Sequence, residues 1–275
     1  MSGLRLLGPG FDPGIVAAID GKLASVAERE HAVVLLAVES GSRAWGFPSP
    51  DSDYDCRFIY ARPRDDYLRL YAPRDVIEFP LDRELDVNGW DLAKALRLLL
   101  KGNAVVIEWL TSPFVYAGDE TFRRQALALA QHAAQPAAIA RHYLHLGERQ
   151  RRTYFADARA VELKKLFYAL RPALALRWLR LHPGEAVAPM HFPTLVGESE
   201  LPAEILAIVE QLLAAKAATR ELGTGTLPGP IGSLIDAEFS QARALASRAR
   251  IGGRSRCLLS QLDQALGIGQ RSYRQ

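Results

Sequence analysis

The segment GSRAWGFPSPDSDYD, residues 41–55, constrains this chain more than any other stretch. Before it, HAVVLLAVES (31–40) is a short apolar run with the composition of a buried strand, and Gly41 ends it. After it, DYDCRFIY (53–60) alternates, so Asp53, Asp55, Arg57 and Ile59 share one face and Tyr54, Cys56, Phe58 and Tyr60 the other. Two carboxylates therefore point the same way from one strand, with Cα atoms about 6.5–7 Å apart. Unpaired, they would repel, and a divalent cation removes the conflict. Gly41 leaves room for a phosphate, Ser42 and nearby N–H groups can donate to its oxygens, and Arg43 adds a fork suited to them. Asp51, Ser52 and Asp53, following Pro48 and Pro50, are also ordinary turn formers. A turn alone gives no reason for Asp55 inside an apolar strand.

Two metal ions need more anionic ligand than one pair supplies, so a third carboxylate is expected on a neighbouring strand. Asp86, between Leu85 and Val87, fits that place. Asp86 as a surface residue beside Asp82 and Glu84 is one alternative, and Asp91 as the ligand is another. Asp91 directly precedes LAKALRLLLK and is better placed to cap that helix.

A Gly-Ser turn, a strand bearing two acids and a third acid on the next strand resemble the signature of the DNA-polymerase-β-like nucleotidyltransferase superfamily. Three blocks, GSRAWGFPSPDSDYDCRFIYARP, DVNGWDLAKAL with EWLTSP, and LKKLFYALRPALALRW, are similar in order to the RlaP-type nucleotidyltransferases linked to bacterial RNA repair. The resemblance spans roughly residues 35–180. It implies transfer of a nucleoside monophosphate from an NTP, ATP foremost, to an acceptor hydroxyl, with two Mg²⁺ or Mn²⁺ ions on Asp53, Asp55 and Asp86. It implies an RNA end as acceptor. A protein or small-molecule acceptor, or a non-catalytic nucleotide- or RNA-binding module, are the competing readings.

The organisation is α/β: a small mixed sheet of the polymerase-β palm type over residues 1–118, then an all-helical domain over 119–275. Pro13 and the spacing of Ile15, Val16, Ile19, Leu23 and Val26 predict a first helix. VIEFPLD (76–82) and ELDVNG (84–89) read as short strands broken at Pro80, and AVVIEWL (104–110) as a short helix. Ala- and Leu-rich helical stretches separated by Pro and Gly breaks follow from about residue 120.

Positive charge concentrates in that second part. Residues 141–180 carry ten Lys/Arg against three Asp/Glu, and residues 241–275 carry seven Arg against one Asp. On a helix starting near Val161, an apolar stripe runs from Leu163 to Trp178, with Lys164, Tyr168 and Arg171 along its flank and Lys165 beside them. These four are the candidate triphosphate ligands. The basic tail suits attraction to a polyanion. Two cysteines, Cys56 and Cys257, and no apolar run of membrane-spanning length suggest a reducing, cytoplasmic setting without membrane attachment. IGG (251–253) and GTGTLPGP lack the Lys-Ser/Thr of a P-loop.

Overall fold

A computed structural model gives the fold and describes residues 3–82, 84–155, 161–218 and 223–252. Helix α1 (Pro13–Glu30) begins where the Asp12 carboxylate accepts from the Gly14 and Ile15 N–H groups, with Pro13 in the first turn. It ends at His31 in the left-handed region, φ 50°. Its buried face, Val16, Ile19, Leu23 and Val26, is the one expected from helical spacing.

Strand β1 (Val33–Ser40) pairs antiparallel with β2 (Tyr54–Ala61). Between them lies the short helix α2 (Gly41–Trp45). The edge strand β3 (Val76–Glu78) is antiparallel to β4 (Leu85–Asp91), and β4 lies parallel to β2. With β5 (Val115–Gly118) on the other side of β1, the mixed sheet has order β3-β4-β2-β1-β5.

The period of two sorts side chains onto two cores. On one face, Tyr54, Cys56, Phe58, Tyr60, Leu85 and Val87 pack against α1. On the other, Leu36, Val38 and Ile59 join a core supplied by the helices. These are α3 (Leu92–Leu100), α4 (Ala104–Thr111), α5 (Glu120–Ala133), α6 (Pro136–Tyr154), α7 (Leu163–Leu181), α8 (Phe192–Gly197), α9 (Ala203–Ala218) and α10 (Gly229–Gly252). One apolar core thus runs unbroken from the sheet into the helical layer. Among the described residues, no helix is long and apolar enough to cross a membrane.

Helix α7 departs from its expected form. Its spacing predicts an amphipathic helix with one wet flank, yet from Leu166 to Leu179 it is buried on nearly every side, wedged between α6 and α10. A two-residue ladder, β6 (Val161–Glu162) against β7 (Thr224–Gly225), precedes it. The Leu163 N–H extends this tie to the Gly223 carbonyl at 3.1 Å. Both strands are too short to leave a pattern in the sequence.

Candidate active site

Parallel pairing of β2 with β4 sets Asp55 opposite Asp86. Both side chains project on the helical side of the sheet, and Asp53 stands exposed just ahead of β2. Arg57, two residues on and therefore on the same face, completes the group. Its Nη2 donates to Asp55 Oδ1 at 3.0 Å and to Asp86 Oδ2 at 2.6 Å, and its Nη1 to the Asp86 carbonyl at 2.9 Å. Burial holds the Asp55 carboxyl above the usual carboxylate range; Arg57 opposes the shift, and Asp86 and Asp53 add to it. Asp91, the alternative third carboxylate, is committed elsewhere. It caps α3 through the Ala93 N–H at 2.8 Å and accepts from the Tyr67 hydroxyl at 3.0 Å.

The Gly-Ser turn carries a double constraint. Gly41 has φ +73°, and a Cβ there would lie 2.2 Å from Asp55 Oδ2. The space expected for a phosphate is partly the space Asp55 needs. Ser42 Oγ donates to Ser52 Oγ at 2.9 Å, and Ser52 Oγ accepts from the Ser49 N–H at 2.8 Å, so α2 is pinned to the loop ahead of β2. Arg43 does not front the cavity. Its guanidinium donates to the Ser52 and Asp53 carbonyls at 2.7 and 3.3 Å and lies 3.8 Å over the Tyr54 ring. The loop's carbonyls need donors, and Arg43 supplies them, so its expected role as a phosphate fork gives way to bracing Asp53.

Beneath this group, Glu39 is fully buried and accepts from the Asp55 N–H at 3.1 Å and from the Tyr116 hydroxyl. Burial pushes its carboxyl up to about 8, against the pull of those two donors.

A cavity of about 380 Å³ opens between the sheet and the helical layer. Gly41, Ser42, Asp53, Asp55 and Arg57 line its sheet side, Trp45 and Phe47 its aromatic wall, and Lys164, Lys165 and Tyr168 reach it from the start of α7. Lys164 Nζ is 3.0 Å from Asp51 Oδ2, and that hydrogen bond holds the Asp51 carboxyl below its ordinary value. Lys165 Nζ sits 5.2 Å from the ring centres of both Tyr154 and Tyr168. Burial raises the Tyr168 hydroxyl.

Arg171 corrects the expected set. It lies two turns deeper along α7, only 4% exposed, and pairs with Glu108 at 2.7 Å, while Tyr143 donates to the same carboxylate at 3.1 Å. A buried Glu108 requires a buried cation, and α7 is covered at that depth. Other arginines of the basic stretch are also engaged internally. Arg177 and Arg180 pair with Glu238 at 2.9 and 2.8 Å, and Arg151 pairs with Asp236. Composition therefore overstated the charge available to a polyanion. In the tail, Arg243 pairs with Glu148 at 2.6 Å; the side chains of Arg248, Arg250, Arg254, Arg256, Arg271 and Arg274 lie outside the described residues.

Lys216, on α9, also lines the cavity although 175 residues separate it from Gly41. One Lys in an Ala-rich helix gives no signal. The alternation of β2 already put Arg57 on the carboxylate face, so its contact with Asp55 was available to reading. The donor chemistry of this face fits a hard divalent ion: carboxylate oxygens from adjacent strands, one of them short of compensating charge. Among the described residues no three His, Cys, Asp or Glu side chains form a ready-made cage. Arg57 bridges the pair in its place.

Comparison with known proteins adds the lineage. The uncharacterized protein YcgL of Bacillus subtilis (strain 168) is 38% identical over 233 residues, covering 85% of this chain and 88% of that protein. The crystal structure of a nucleotidyltransferase-like protein from Exiguobacterium sibiricum 255-15 aligns over 93% of this chain and 89% of its own, at 12% identity and a TM-score of 0.31. That likeness is too slight to transfer a site. Residues 15–264 match the RlaP family, described as the RNA repair pathway DNA polymerase beta family, and the chain belongs to this family of polymerase-β-type nucleotidyltransferases.

Proposed function

We propose that the protein is a metal-dependent nucleotidyltransferase that moves a nucleoside monophosphate from an NTP to the hydroxyl of an RNA end and releases pyrophosphate. The observation that carries this reading is the in-register pair Asp55 and Asp86, joined by Arg57, at the edge of a cavity that Asp53 and Asp55 line and whose far wall is lysine. The family description supports RNA as the acceptor.

Asp53, Asp55 and Asp86 would hold Mg²⁺ or Mn²⁺, which supplies Lewis-acid neutralisation of the phosphates and a lowered pKa for the attacking hydroxyl. Arg57 keeps Asp55 and Asp86 together on one face before any cation arrives. Lys164 and Lys165 bring positive charge toward the triphosphate, and Lys164 exchanges Asp51 for a phosphate oxygen. Ser42 and the first N–H groups of α2 orient the same phosphates, and the Trp45 and Phe47 wall excludes water. Positioning and charge neutralisation do the catalytic work, and no covalent protein intermediate is required.

The test is transfer itself. Purified protein with Mg²⁺, each α-labelled NTP in turn and RNA with free hydroxyl ends should label the RNA and release pyrophosphate. Asp53→Asn or Asp55→Asn should reduce this by about 10²-fold or more, the scale of a lost electrostatic stabiliser. Labelling of protein or a small molecule, with RNA untouched, would overturn the RNA acceptor. Absence of NTP-dependent transfer to any of the three would overturn the reading.

A further inference from the structure

We infer that Lys216 is a polyphosphate-binding residue, its ammonium leaving the Phe47 carbonyl to meet the phosphate chain of a nucleoside triphosphate in the cavity that Asp53 and Asp55 line. This rests on the nucleotidyltransferase reading and adds to it a ligand from a third part of the chain.

The argument begins with an imbalance. Lys216 is 3% exposed, yet among the described residues it has no carboxylate within ion-pair distance. Its Nζ donates to the Phe47 carbonyl at 2.6 Å and lies 4.9 Å from the centre of the Phe47 ring. An ammonium has three donors, so this environment uses it poorly. Burying such a group without a counterion is costly, and a neutral donor would tie Phe47 as well. The cavity wall is where the cost can be recovered, because an entering polyanion provides the missing charge.

The surroundings agree. From the segment ahead of β2, Asp51 faces Lys216 but is already paired with Lys164; from α7, Lys164 and Lys165 face the same cavity, and Asp53, Asp55 and Arg57 stand across it. Burial, reinforced by Lys164 and only partly opposed by Asp51, brings the Lys216 ammonium down to about 8. A bound phosphate chain favours the charged form and raises that value. Binding in mildly alkaline solution should therefore take up a proton.

Isothermal titration of the full chain with Mg²⁺ and α,β-methylene analogues of the four ribonucleoside triphosphates tests this, run at pH 8.5 in buffers of low and high ionisation enthalpy. The nucleotide phosphates are already deprotonated at that pH. Wild type should bind with net proton uptake. Lys216→Met should bind at least tenfold more weakly, without that uptake, and with a melting temperature equal to or above wild type. Lys216→Gln provides a second variant that retains a donor for Phe47. Unchanged affinity and uptake in both variants would overturn the inference, as would a lowered melting temperature with unchanged affinity, which marks a structural tie. A wild type that binds none of the analogues would fail the underlying reading, and Lys216 with it.

Discussion

Asp55 and Asp86 face each other across a parallel strand pair, and one guanidinium, from Arg57, contacts both at 3.0 and 2.6 Å. In this geometry the arginine balances charge that a metal ion would otherwise balance. Each can substitute for the other in keeping two like charges together.

Removing the arginine should therefore expose a dependence on metal. Arg57→Met leaves Asp55 and Asp86 unscreened, and the variant should lose roughly 1–3 kcal/mol of stability in chelator, the scale of hydrogen bonds to charged groups. Millimolar Mg²⁺ should restore much of that loss. Thermal melts with EDTA and with Mg²⁺ check it, and wild type should respond far less to the same exchange. Equal metal response in the two proteins would refute the compensation.

Gly41→Ala should fail on two counts. The left-handed backbone costs an L side chain about 1–2 kcal/mol, and the new methyl must displace Asp55 Oδ2 from 2.2 Å. Stability and NTP affinity should fall together. Ser42→Ala, which removes one part-buried tie to Ser52 Oγ, should cost about 0.5–1.5 kcal/mol of stability and leave Asp55 in place. Melting curves paired with nucleotide titration separate the two.

Arg171 and Lys164 have similar sequence credentials and opposite expected phenotypes. Arg171→Met strands Glu108 in the core and should cost about 3–5 kcal/mol of stability. Lys164→Met breaks an ion pair that is about one-third exposed on each side and should change stability by less than about 1 kcal/mol. Its loss should appear in nucleotide affinity. Chemical denaturation of both variants, followed by nucleotide titration of Lys164→Met, is the measurement.

Glu39 gives a pH signature. Its carboxyl rises from an ordinary 4.5 to about 8 on folding, so the folded state holds a proton that the unfolded chain has released above pH 4.5. Its contribution to stability is present below about 4.5 and declines as pH rises toward 8. Glu39→Gln keeps an acceptor for the Asp55 N–H and a polar partner for Tyr116, and does not titrate. In chelator, the variant should melt above wild type at pH 7.5–8, by roughly 2–4 °C for each kcal/mol recovered. The advantage should fade toward pH 4.5. A gap constant with pH would assign it to packing.

What the sequence made legible follows from which signals are local. Alternation in β2 sorted Asp53, Asp55 and Arg57 from Tyr54, Cys56 and Phe58, and the Asp12–Pro13 start of α1 is written in adjacent residues. Asp91 could be recognised as a cap because capping acts within two residues. The burial of Arg171 was not legible, since it depends on Glu108 on α4 and on α6 and α10 packing round α7. The inclusion of Lys216 depends on the path of α9, and that of Arg43 in the loop brace on carbonyls whose orientation exists only once the turn has formed.

The ladder of Val161–Glu162 with Thr224–Gly225 has a consequence in the order of synthesis. The carboxylate-bearing strands are complete once Asp91 has left the ribosome, and their sheet closes at Gly118. The start of α7 acquires its partner strand only at residues 224–225, just after α9 has delivered Lys216. A nascent chain therefore displays the acidic half of its cavity for more than a hundred residues of elongation before the basic wall can close over it, and a stalled or truncated product ending before Thr224 would carry Asp53 and Asp55 without the ladder that anchors Lys164 and Lys165.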